Sequence, residues 1–566
     1  MSPAPGSGRP AGMPRVAPAA GVLAVWAFLG SFLVYPLVHI FYDAVTDDRG
    51  AFTLRNLHDF LTDGFYLRSL GNSLLLGVGV VAASSVLGIG IALLLVRYEF
   101  RGRRLFSYLT LLPIISPPLV GVLGFVFVLG RAGTVNVLLM DYLDLPRPVN
   151  FMYGLHGVLL VESLHLFPMI TLNVVDALGK VDPALEEAAE SVGARAWRRL
   201  WTVTLPLTTP GYVAGALLVF IWTFADFVTP LVVGVHDLLA AQAYLNIVQF
   251  VDRRLFRMGI VISALLVLLA VLFLVLARHY VAIKDYSSLA YSRVERRRLT
   301  GAVQALVVAA LSAVLVLACL PYLGLGLAAF GRGWSLTPLP TAYTVQFFER
   351  VLVETPKYVT NSLLYSGLAV ALGIGVGVPI AWMLARTRLP GRGILDALNT
   401  LILAIPGTAI GIAYVRAFHG DLPGLGVPLT SLWVILPLVL AVRRLPYTVR
   451  GSYASLLLVH PALEEAAGSV GASRLRAFWD VTLPLIRKGV LVGGLFSFMT
   501  SLQEASAVLF LSLGGWETIT VGIFNFYIAG STSEAAALGV VLIAVAAVCV
   551  GLIQRVAGAR LGGMFG

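Results

Sequence analysis

Long apolar stretches alternate with short polar ones along almost the whole of this 566-residue chain. Twelve of the stretches are each close to the ~20 residues that an α-helix needs to cross a bilayer. No series of short alternating segments typical of a closed β-barrel is present, so the spans are predicted to be helices. The predicted spans cover residues 20–42, 70–96, 106–130, 152–174, 207–234, 258–280, 301–328, 359–385, 396–418, 429–449, 487–512 and 534–557.

Two polar segments between these spans share one pattern. They cover residues 182–194 and 460–472, and each continues to a Val-Thr-Leu-Pro sequence. In each segment, apolar residues at i, i+3, i+4 and i+7 form one helical face, which begins at Leu185 or at Leu463. Each segment therefore predicts a short surface helix, a break and a second short helix.

The limits of these surface helices are predicted by particular residues. Asp182 is a favourable N-cap, and Pro183 and Pro461 suit the first helical position. Gly193 and Gly471 follow the apolar face, where a residue that tolerates positive φ ends a helix. The small alanine-rich face between these limits suits docking into a groove of another protein.

The two halves of the chain are predicted to be parallel repeats. Six spans in each half preserve the orientation, so the halves are related by an axis along the membrane normal. Residues 1–19 are predicted to be a flexible cytoplasmic tail. The first repeat is assigned to 20–290 with its core at 68–280, and the second to 291–566 with its core at 357–557. Equivalent pairs are Asn72 and Asn361, Arg97 and Arg386, Pro168 and Pro446, Glu187 and Glu465, Pro206 and Pro484, and Asp226 and Glu504.

Composition agrees with a membrane protein, since 58% of the residues are hydrophobic and only 12% are charged. The net charge of +11 could indicate nucleic-acid binding, but most of the 40 Lys and Arg fall on alternate loops, with the N-terminus inside. The charge is therefore a topology signal, and no nucleic-acid partner is expected. Both termini and both repeated polar segments are predicted to be cytoplasmic. The basic clusters include Arg101, Arg103, Arg104, Arg195, Arg198, Arg199, Arg296, Arg297, Arg298, Arg443, Arg444 and Arg450.

The sequence carries no motif for catalysis. It has no Gly-x-x-x-x-Gly-Lys-Ser/Thr phosphate loop, no paired-Cys or His-x-x-x-His metal pattern and no nucleophile triad. Cys319 and Cys549 lie in apolar runs and are interpreted as small hydrophobic residues. The protein is therefore not expected to be an enzyme, and energy for any active process must come from a partner.

The repeated polar segments resemble the Glu-Ala-Ala loop of the membrane subunits of ABC importers. In that family the loop is the cytoplasmic coupling element, which sits in a cleft of the ATPase subunit. The resemblance implies a type I importer fold of about twelve membrane helices in two parallel six-helix repeats. The matching residues are Glu187, Ala188, Ala189 and Gly193 in the first copy and Glu465, Ala466, Ala467 and Gly471 in the second.

Among ABC importers, the chain looks most like the fused two-domain permeases of the iron(III), thiamine and 2-aminoethylphosphonate group. This resemblance implies a multi-pass permease of the bacterial cytoplasmic (inner) membrane that works by alternating access. It implies two separate ATPase subunits that bind ATP-Mg, an external solute-binding protein, and no cofactor in this chain. A secondary transporter with twelve spans is the alternative class, followed by an ion channel, but neither explains the two loops.

Acidic residues inside spans are candidates for the pathway, because a charge in lipid is costly. Asp226 and Glu504 occupy equivalent positions, about 28 Å along their helices at 1.5 Å per residue. They are predicted to form a pair of gate or pathway residues; the alternative is that they reach interfacial water or a neighbouring helix. Glu162, whose repeat counterpart is Leu440, contacts substrate or pairs with His165, and pairing is favoured.

Other polar and proline residues in the spans have structural interpretations. Asn72 and Asn361 are predicted to cap the helices that they open. Prolines are predicted to kink the spans at Pro117, Pro168, Pro406 and Pro446.

The substrate is the least determined part of the prediction. Two acids on a pathway fit a hard cation such as Fe³⁺, which prefers oxygen ligands. Iron(III) is therefore ranked first, phosphonate or phosphorylated solutes second and thiamine third. No resident metal site can be assigned from the residues.

Overall fold

The computed structural model describes residues 19–47, 49–249, 251–283, 296–334, 337–421 and 426–557. Nearly all of the predicted tail, residues 284–295 of the predicted linker and residues 558–566 lie outside the described residues. The described part is helical, as predicted, except for two small sheets. In these, β1 (Tyr98–Glu99) pairs in parallel with β2 (Arg297–Arg298), and β3 (Gly331–Arg332) pairs antiparallel with β4 (Ala342–Tyr343).

The first half begins with an N-terminal anchor and ends with a long helix that leads into the linker. Its helices are α1 (Ala19–Leu29), α2 (Tyr35–Ala44), α3 (Arg55–Thr62), α4 (Gly64–Arg97), α5 (Arg103–Ile115), α6 (Pro118–Leu129), α7 (Thr134–Leu143), α8 (Leu155–Leu178), α9 (Pro183–Ser191), α10 (Ala196–Arg199), α11 (Leu205–Ala225), α12 (Val228–Val232), α13 (Leu239–Val248) and α14 (Arg253–Ile283).

The second half repeats this order of long, short and broken helices. Its helices are α15 (Gly301–Phe330), α16 (Gln346–Glu349), α17 (Lys357–Arg386), α18 (Arg392–Ala404), α19 (Gly407–Ala417), α20 (Ile435–Leu458), α21 (Ala462–Ser469), α22 (Arg474–Ala477), α23 (Leu483–Leu502), α24 (Ser506–Leu511), α25 (Ile519–Ile528) and α26 (Thr532–Ala557). Equivalent π-helical turns, Leu200–Thr204 and Phe478–Thr482, lead into α11 and α23.

By length and composition, ten described helices can cross a membrane, and α18 with α19 forms an eleventh span if the bent pair counts as one. The predicted number was twelve. The remaining predicted span, 429–449, coincides largely with α20, which is 24 residues long. Arg443, Arg444 and Arg450 interrupt its apolar sequence, so its composition alone does not mark it as a span.

Prolines break two of the predicted spans. Pro117 separates α5 from α6, and Pro406 separates α18 from α19, whose axes differ by 110°. Pro168 and Pro446, by contrast, lie inside α8 and α20, which continue through them. The effect of each proline therefore differs, although each lacks the backbone N–H of a regular helix.

The first helix of each half packs against the other half. Val25, Leu29 and Leu33 of the N-terminal anchor belong to the core built mainly from the second half. In exchange, α15 packs along α6 of the first half. The contact is close because Gly124 and Gly324 face it, and a Cβ added at Gly124 would lie 2.0 Å from a backbone oxygen of α15. The halves are thus interlocked through their outermost helices.

Asn72 and Asn361 do not cap the helices that contain them, because they lie inside α4 and α17. The Asn72 amide donates to Asp237 Oδ2 at 2.7 Å, and the Asn361 amide donates to a loop carbonyl before α25 at 2.9 Å. The neighbouring Ser73 accepts the first backbone N–H of α13 at 2.8 Å, and Ser362 accepts that of α25 at 2.7 Å. The repeated Asn-Ser pair therefore holds a second, shorter helix in each half.

The distribution of basic residues predicts a testable topology. Reporters fused at the N-terminus, within residues 281–300 and at the C-terminus should all report a cytoplasmic location, because arginine clusters flank these segments. A reporter in the loop between α14 and α13 should report the opposite side. Alkaline phosphatase and green fluorescent protein fusions measure this, and a linker found outside would overturn the orientation.

Candidate functional site

The two repeated surface helices begin in the same way. The Asp182 carboxylate accepts the backbone N–H of Ala184 at 2.9 Å, which confirms it as an N-cap. At the equivalent place, His460 Nδ1 accepts the backbone N–H of Ala462 at 3.2 Å. Pro183 is the first residue of α9 as predicted, whereas Pro461 stands one residue before α21. Different side chains thus satisfy the same exposed backbone donor.

Both helices also end as predicted. Gly193 has φ +85° and Gly471 has φ +88°, the left-handed conformation that glycine adopts without steric cost. The backbone N–H of the next residue then returns to a carbonyl five residues earlier, at 3.0 Å in both copies. This is the Schellman arrangement, which satisfies the last carbonyls of a helix and turns the chain sharply.

The surface helices expose apolar side chains in matching amounts. No residue of α9 or α21 is buried. Leu185 is 45% exposed and Leu463 47%, while Val192 is 84% exposed and its counterpart Val470 is 86%. A tryptophan at the start of each following π turn is also exposed. Such paired apolar surfaces, uncovered by the described part of the chain, are typical of sites that bind another protein.

One carboxylate holds each surface helix to a long membrane helix. Glu186 of α9 forms an ion pair with Arg97 at the end of α4, and the Thr204 hydroxyl donates to the same carboxylate at 2.6 Å. Glu464 of α21 pairs with Arg386 at the end of α17 at 3.2 Å. Both copies therefore link the surface helix to an equivalent membrane helix.

These anchoring acids were not singled out from the sequence, where Glu187 and Glu465 drew attention instead. The latter two are exposed, while Glu186 and Glu464 are half-buried. The sequence did contain a signal for these ion pairs. An arginine ends both long helices, and both surface segments carry two adjacent glutamates.

The first surface helix has ion pairs at two positions where the second half carries no charge. Glu190 forms an ion pair with Arg199, and the guanidinium of Arg297 lies 3.7 Å from the same carboxylate. Arg297 belongs to β2, which pairs with β1 at the end of α4. In the second half, Gly468 and Ala477 occupy the positions of Glu190 and Arg199. The two helices share one exposed surface but differ in how firmly they are held.

A cavity of about 160 Å³ lies between the two halves. It is lined from both sides by the proline breaks, by α8 and α20, and by the ends of α11 and α23. All three acids predicted to lie on the pathway reach it. Its charged lining residues are Glu162, Asp226, Arg443, Arg444 and Glu504.

Asp226 and Glu504 occupy breaks in helices that were predicted to be continuous over 207–234 and 487–512. α11 ends before Asp226 and α12 begins at Val228, and the second half repeats this break. The Asp226 carboxylate accepts the backbone N–H groups of Val228 and Thr229 at 3.0 and 3.1 Å. Glu504 Oε1 accepts an equivalent N–H at 3.1 Å. Each acid thus satisfies donors that a helix break leaves exposed.

Glu504 has two further partners that Asp226 does not have. Its Oε2 accepts from Arg443 at 2.8 Å and also from Arg444. Only 4% of Glu504 is exposed, so the ion pairs are shielded from water. Both arginines were predicted to belong to a cytoplasmic cluster. That prediction was wrong, because both lie within α20 and line the cavity.

Glu162 contacts the acid of its own half rather than His165. It is 2% exposed, and its closest polar neighbours are Asp226 and Thr229. Its Oε1 is buried without a hydrogen-bond partner. Within the described ranges, no ion pair joins Glu162 to His165, so the favoured pairing was wrong. A buried carboxyl oxygen without a hydrogen-bond partner is unusual and marks this side of the cavity.

The two walls of the cavity therefore differ in their charged groups. Its first-half wall presents Glu162 and Asp226, neither of which has an ion-pair partner among residues 19–557 as described. Its second-half wall presents one carboxylate between two guanidinium groups. Among the side chains that the structure describes, no group of three or more His, Cys, Asp or Glu could hold a metal ion. The two acids can contact a passing cation but do not form a closed resident site.

Comparison with protein families decides what kind of membrane protein this is. Residues 84–285 and 377–563 both match the binding-protein-dependent transport system inner membrane component. The chain belongs to this family. The permease is therefore a multi-pass inner-membrane subunit that is not itself catalytic and carries no cofactor, since the ATPase is a separate subunit. The two matches confirm that the permease contains two copies of one domain.

Individual relatives resemble the permease over different lengths. A ferric transport system permease protein of Actinobacillus pleuropneumoniae is 28% identical and covers 93% of this chain and 76% of its own. A putative ferric transport system permease protein of Haemophilus influenzae is 27% identical, with 87% and 77% covered. The molybdenum transport system permease protein of Escherichia coli is 32% identical over 35% of this chain and 91% of its own.

The different partners of Glu504 and Asp226 predict different stabilities for their variants. Glu504→Gln leaves two buried guanidinium groups without a counter-charge and should cost about 3–5 kcal/mol. Asp226→Asn keeps one acceptor oxygen for the helix break and should cost about 1–2 kcal/mol. Thermal unfolding of the purified permease in detergent measures both. Equal shifts in unfolding temperature would contradict the assigned role of the arginine pair.

Proposed function

We propose that this permease conducts iron(III) into the cytoplasm by alternating access. The observation that carries the proposal is the pair of carboxylates, Glu162 and Asp226, which face the cavity without a basic partner. Fe³⁺ is a hard cation that prefers carboxylate oxygen. The similarity of most of the chain to two permeases named for ferric transport supports the same substrate.

In this proposal the two surface helices are coupling helices for a pair of ABC ATPase subunits. Each helix would enter a cleft of one ATPase subunit with its exposed apolar face, and an external binding protein would deliver the substrate. Support comes from the matched exposure of the two faces and from their ion pairs to α4 and α17. The residues proposed for contact or for the helix break are Glu187, Ala188, Ala189, Gly193, Glu465, Ala466, Ala467 and Gly471.

The cavity would serve as the pathway between the repeats, which we assign to 20–290 and 291–566, with both termini in the cytoplasm. Glu162 and Asp226 would be transient ligands for the ion, because two carboxylates supply fewer ligands than a closed metal site does. The breaks at Asp226 and Glu504 would act as the gate, since short helices there can move without unfolding a whole span. Arg443, Arg444 and Glu504 together give the second wall a net charge of +1, which would direct a passing cation toward Glu162 and Asp226.

A second candidate substrate is a phosphonate or phosphorylated solute. Arg443 and Arg444 line the same cavity, and guanidinium groups bind such oxyanions well. Both arginines already contact Glu504, however, so an anion would have to displace a buried carboxylate. Iron(III) remains the better fit.

The iron proposal predicts a loss of uptake when the first wall loses its charge. The double variant Glu162→Gln with Asp226→Asn should take up radioactive iron at least about tenfold more slowly, a factor worth ~1.4 kcal/mol. Asp176→Asn removes an exposed acid outside the cavity and serves as the control. Cells should express the cognate ATPase and binding protein, and permease levels should be matched. Unchanged iron uptake in the double variant would reject the role of these acids, and uptake of phosphonate instead would favour the second candidate.

The coupling proposal predicts that damage to one surface helix stops transport without preventing assembly in the membrane. Glu187→Arg with Gly193→Pro, or Glu465→Arg with Gly471→Pro, should abolish stimulation of ATP hydrolysis by the loaded binding protein. The arginine opposes the helix dipole, and proline cannot adopt positive φ. ATPase assays on the reconstituted complex measure the effect.

A matched control changes the same two positions without disrupting the helix or its end. Glu187→Gln with Gly193→Asn keeps side-chain size and a residue that tolerates positive φ, so it should retain most of the stimulation. Normal stimulation in the arginine–proline variants would remove the surface helices from the coupling mechanism.

A further inference from the structure

A second cavity, of about 510 Å³, lies on the side of the molecule that carries the coupling helices. It is formed where the end of α14 from the first half meets the start of α18 and the ends of α17 and α20 from the second. Nothing in the proposed transport cycle uses it. Its polar lining residues are Arg278, Arg392, Asp396, Asn399, Arg450 and Tyr453.

The cavity has a strongly positive lining. Among the described contacts, the side chains of Arg392 and Arg450 have no carboxylate partner, and Arg278 lies 4.0 Å from the cavity's acid, Asp396. The start of α18 adds to the positive potential, because its N-cap is Gly391, which has no side chain to cap the exposed N–H groups. An anionic ligand would meet two guanidinium groups and a helix N-terminus together.

A buried amide also points to a ligand. Asn399 is 2% exposed and lines the cavity, yet its Oδ1 has no hydrogen-bond partner. Buried polar atoms in native proteins nearly always have a partner. Arg392, Asp396 and Asn399 are spaced i, i+4, i+7, so they share one face of α18. A ligand held by Arg392 would therefore reach Asn399, and a hydroxyl group on that ligand would satisfy Oδ1.

The surroundings favour a lipid over a soluble anion. Leu384 and Val449 give the cavity an apolar floor. One helical turn from Arg278, Val275 is 56% exposed on α14, a helix apolar enough to span the membrane. An acyl chain leaving the cavity can therefore continue along α14. Basic pockets between membrane helices on this side bind anionic headgroups in other membrane proteins.

The first half repeats only part of this lining. Arg103 stands at the position equivalent to Arg392, but Thr110 stands at that of Asn399 and Leu172 at that of Arg450. Arg450 and Asn399 are therefore not a by-product of the repeat, and a ligand that needs both would bind once per chain.

We propose that this cavity binds the headgroup of an anionic phospholipid that carries hydroxyl groups, such as phosphatidylglycerol. Arg392 and Arg450 hold the phosphate, and Asn399 accepts a headgroup hydroxyl. Because α14 belongs to the first half and α18 and α20 to the second, the lipid joins the two halves on the side of the coupling helices. The proposal is independent of which substrate the permease transports.

Lipid retained by the purified full-length permease tests this site. Mass spectrometry should find about one fewer phosphatidylglycerol per chain in Arg392→Gln with Arg450→Gln than in the unaltered protein. Arg388→Gln removes a nearby exposed arginine that does not line the cavity, and it should retain the lipid. Equal retention in the double variant and in this control would overturn the proposal.

A second measurement identifies the source of the phosphate. In nanodiscs of phosphatidylcholine, added phosphatidylglycerol should raise the unfolding temperature of the unaltered protein and of Arg388→Gln. It should not raise that of Asn399→Leu or of the double arginine variant. Stabilisation by inorganic phosphate in place of phosphatidylglycerol would show a soluble anion site and reject the lipid.

Discussion

Each surface helix of this permease is joined to a membrane helix by one ion pair, and the pair in the second half is largely buried. Arg386 pairs with Glu464 and also donates to the carbonyls of Leu456 and Val459 at the end of α20. A single guanidinium thus joins α17, α20 and α21. Breaking such a shielded pair on one side would leave the other charge buried, which is costly. Arg386 therefore fixes the surface helix to two membrane helices at once.

Helix breaks impose a second constraint, which explains why acids appear where they do. A break among packed apolar helices leaves backbone N–H groups that water cannot reach, so side chains must accept them. Asp226 and Glu504 do this in equivalent positions. The first role of these carboxylates is to accept backbone N–H groups, and any contact with a substrate would come in addition to it. Glu162 has no such structural duty, and its place in the cavity wall therefore needs another explanation.

Repetition in the sequence predicted most of the fold, because the same local chemistry recurs in both halves. The surface helices, the N-cap at Asp182 and the positive-φ glycines follow from local rules and were predicted, whereas the capping by His460 was not. Contacts between distant segments were not, since they depend on packing. Arg443 and Arg444 looked like loop arginines because charge is expected outside a membrane, and only tertiary structure brings them to Glu504. His165 was favoured as a partner for Glu162 because it is near in sequence. The structure instead brings Asp226, from a distant segment, into contact with Glu162.

The exchange of outer helices has a consequence for how the protein is made. The anchor formed by α1 and α2 leaves the ribosome before the other described helices, and two of its packing partners, α17 and α19, are synthesised more than half a chain later. During that interval, the anchor's inward face must be covered by lipid or by an insertion factor. Likewise, the surface of α6 in the first half stays uncovered by α15 until α15 has been synthesised. Among the described residues, each half packs its outer helix against the other, so fusion in one chain ensures that each half is made beside the partner that covers it.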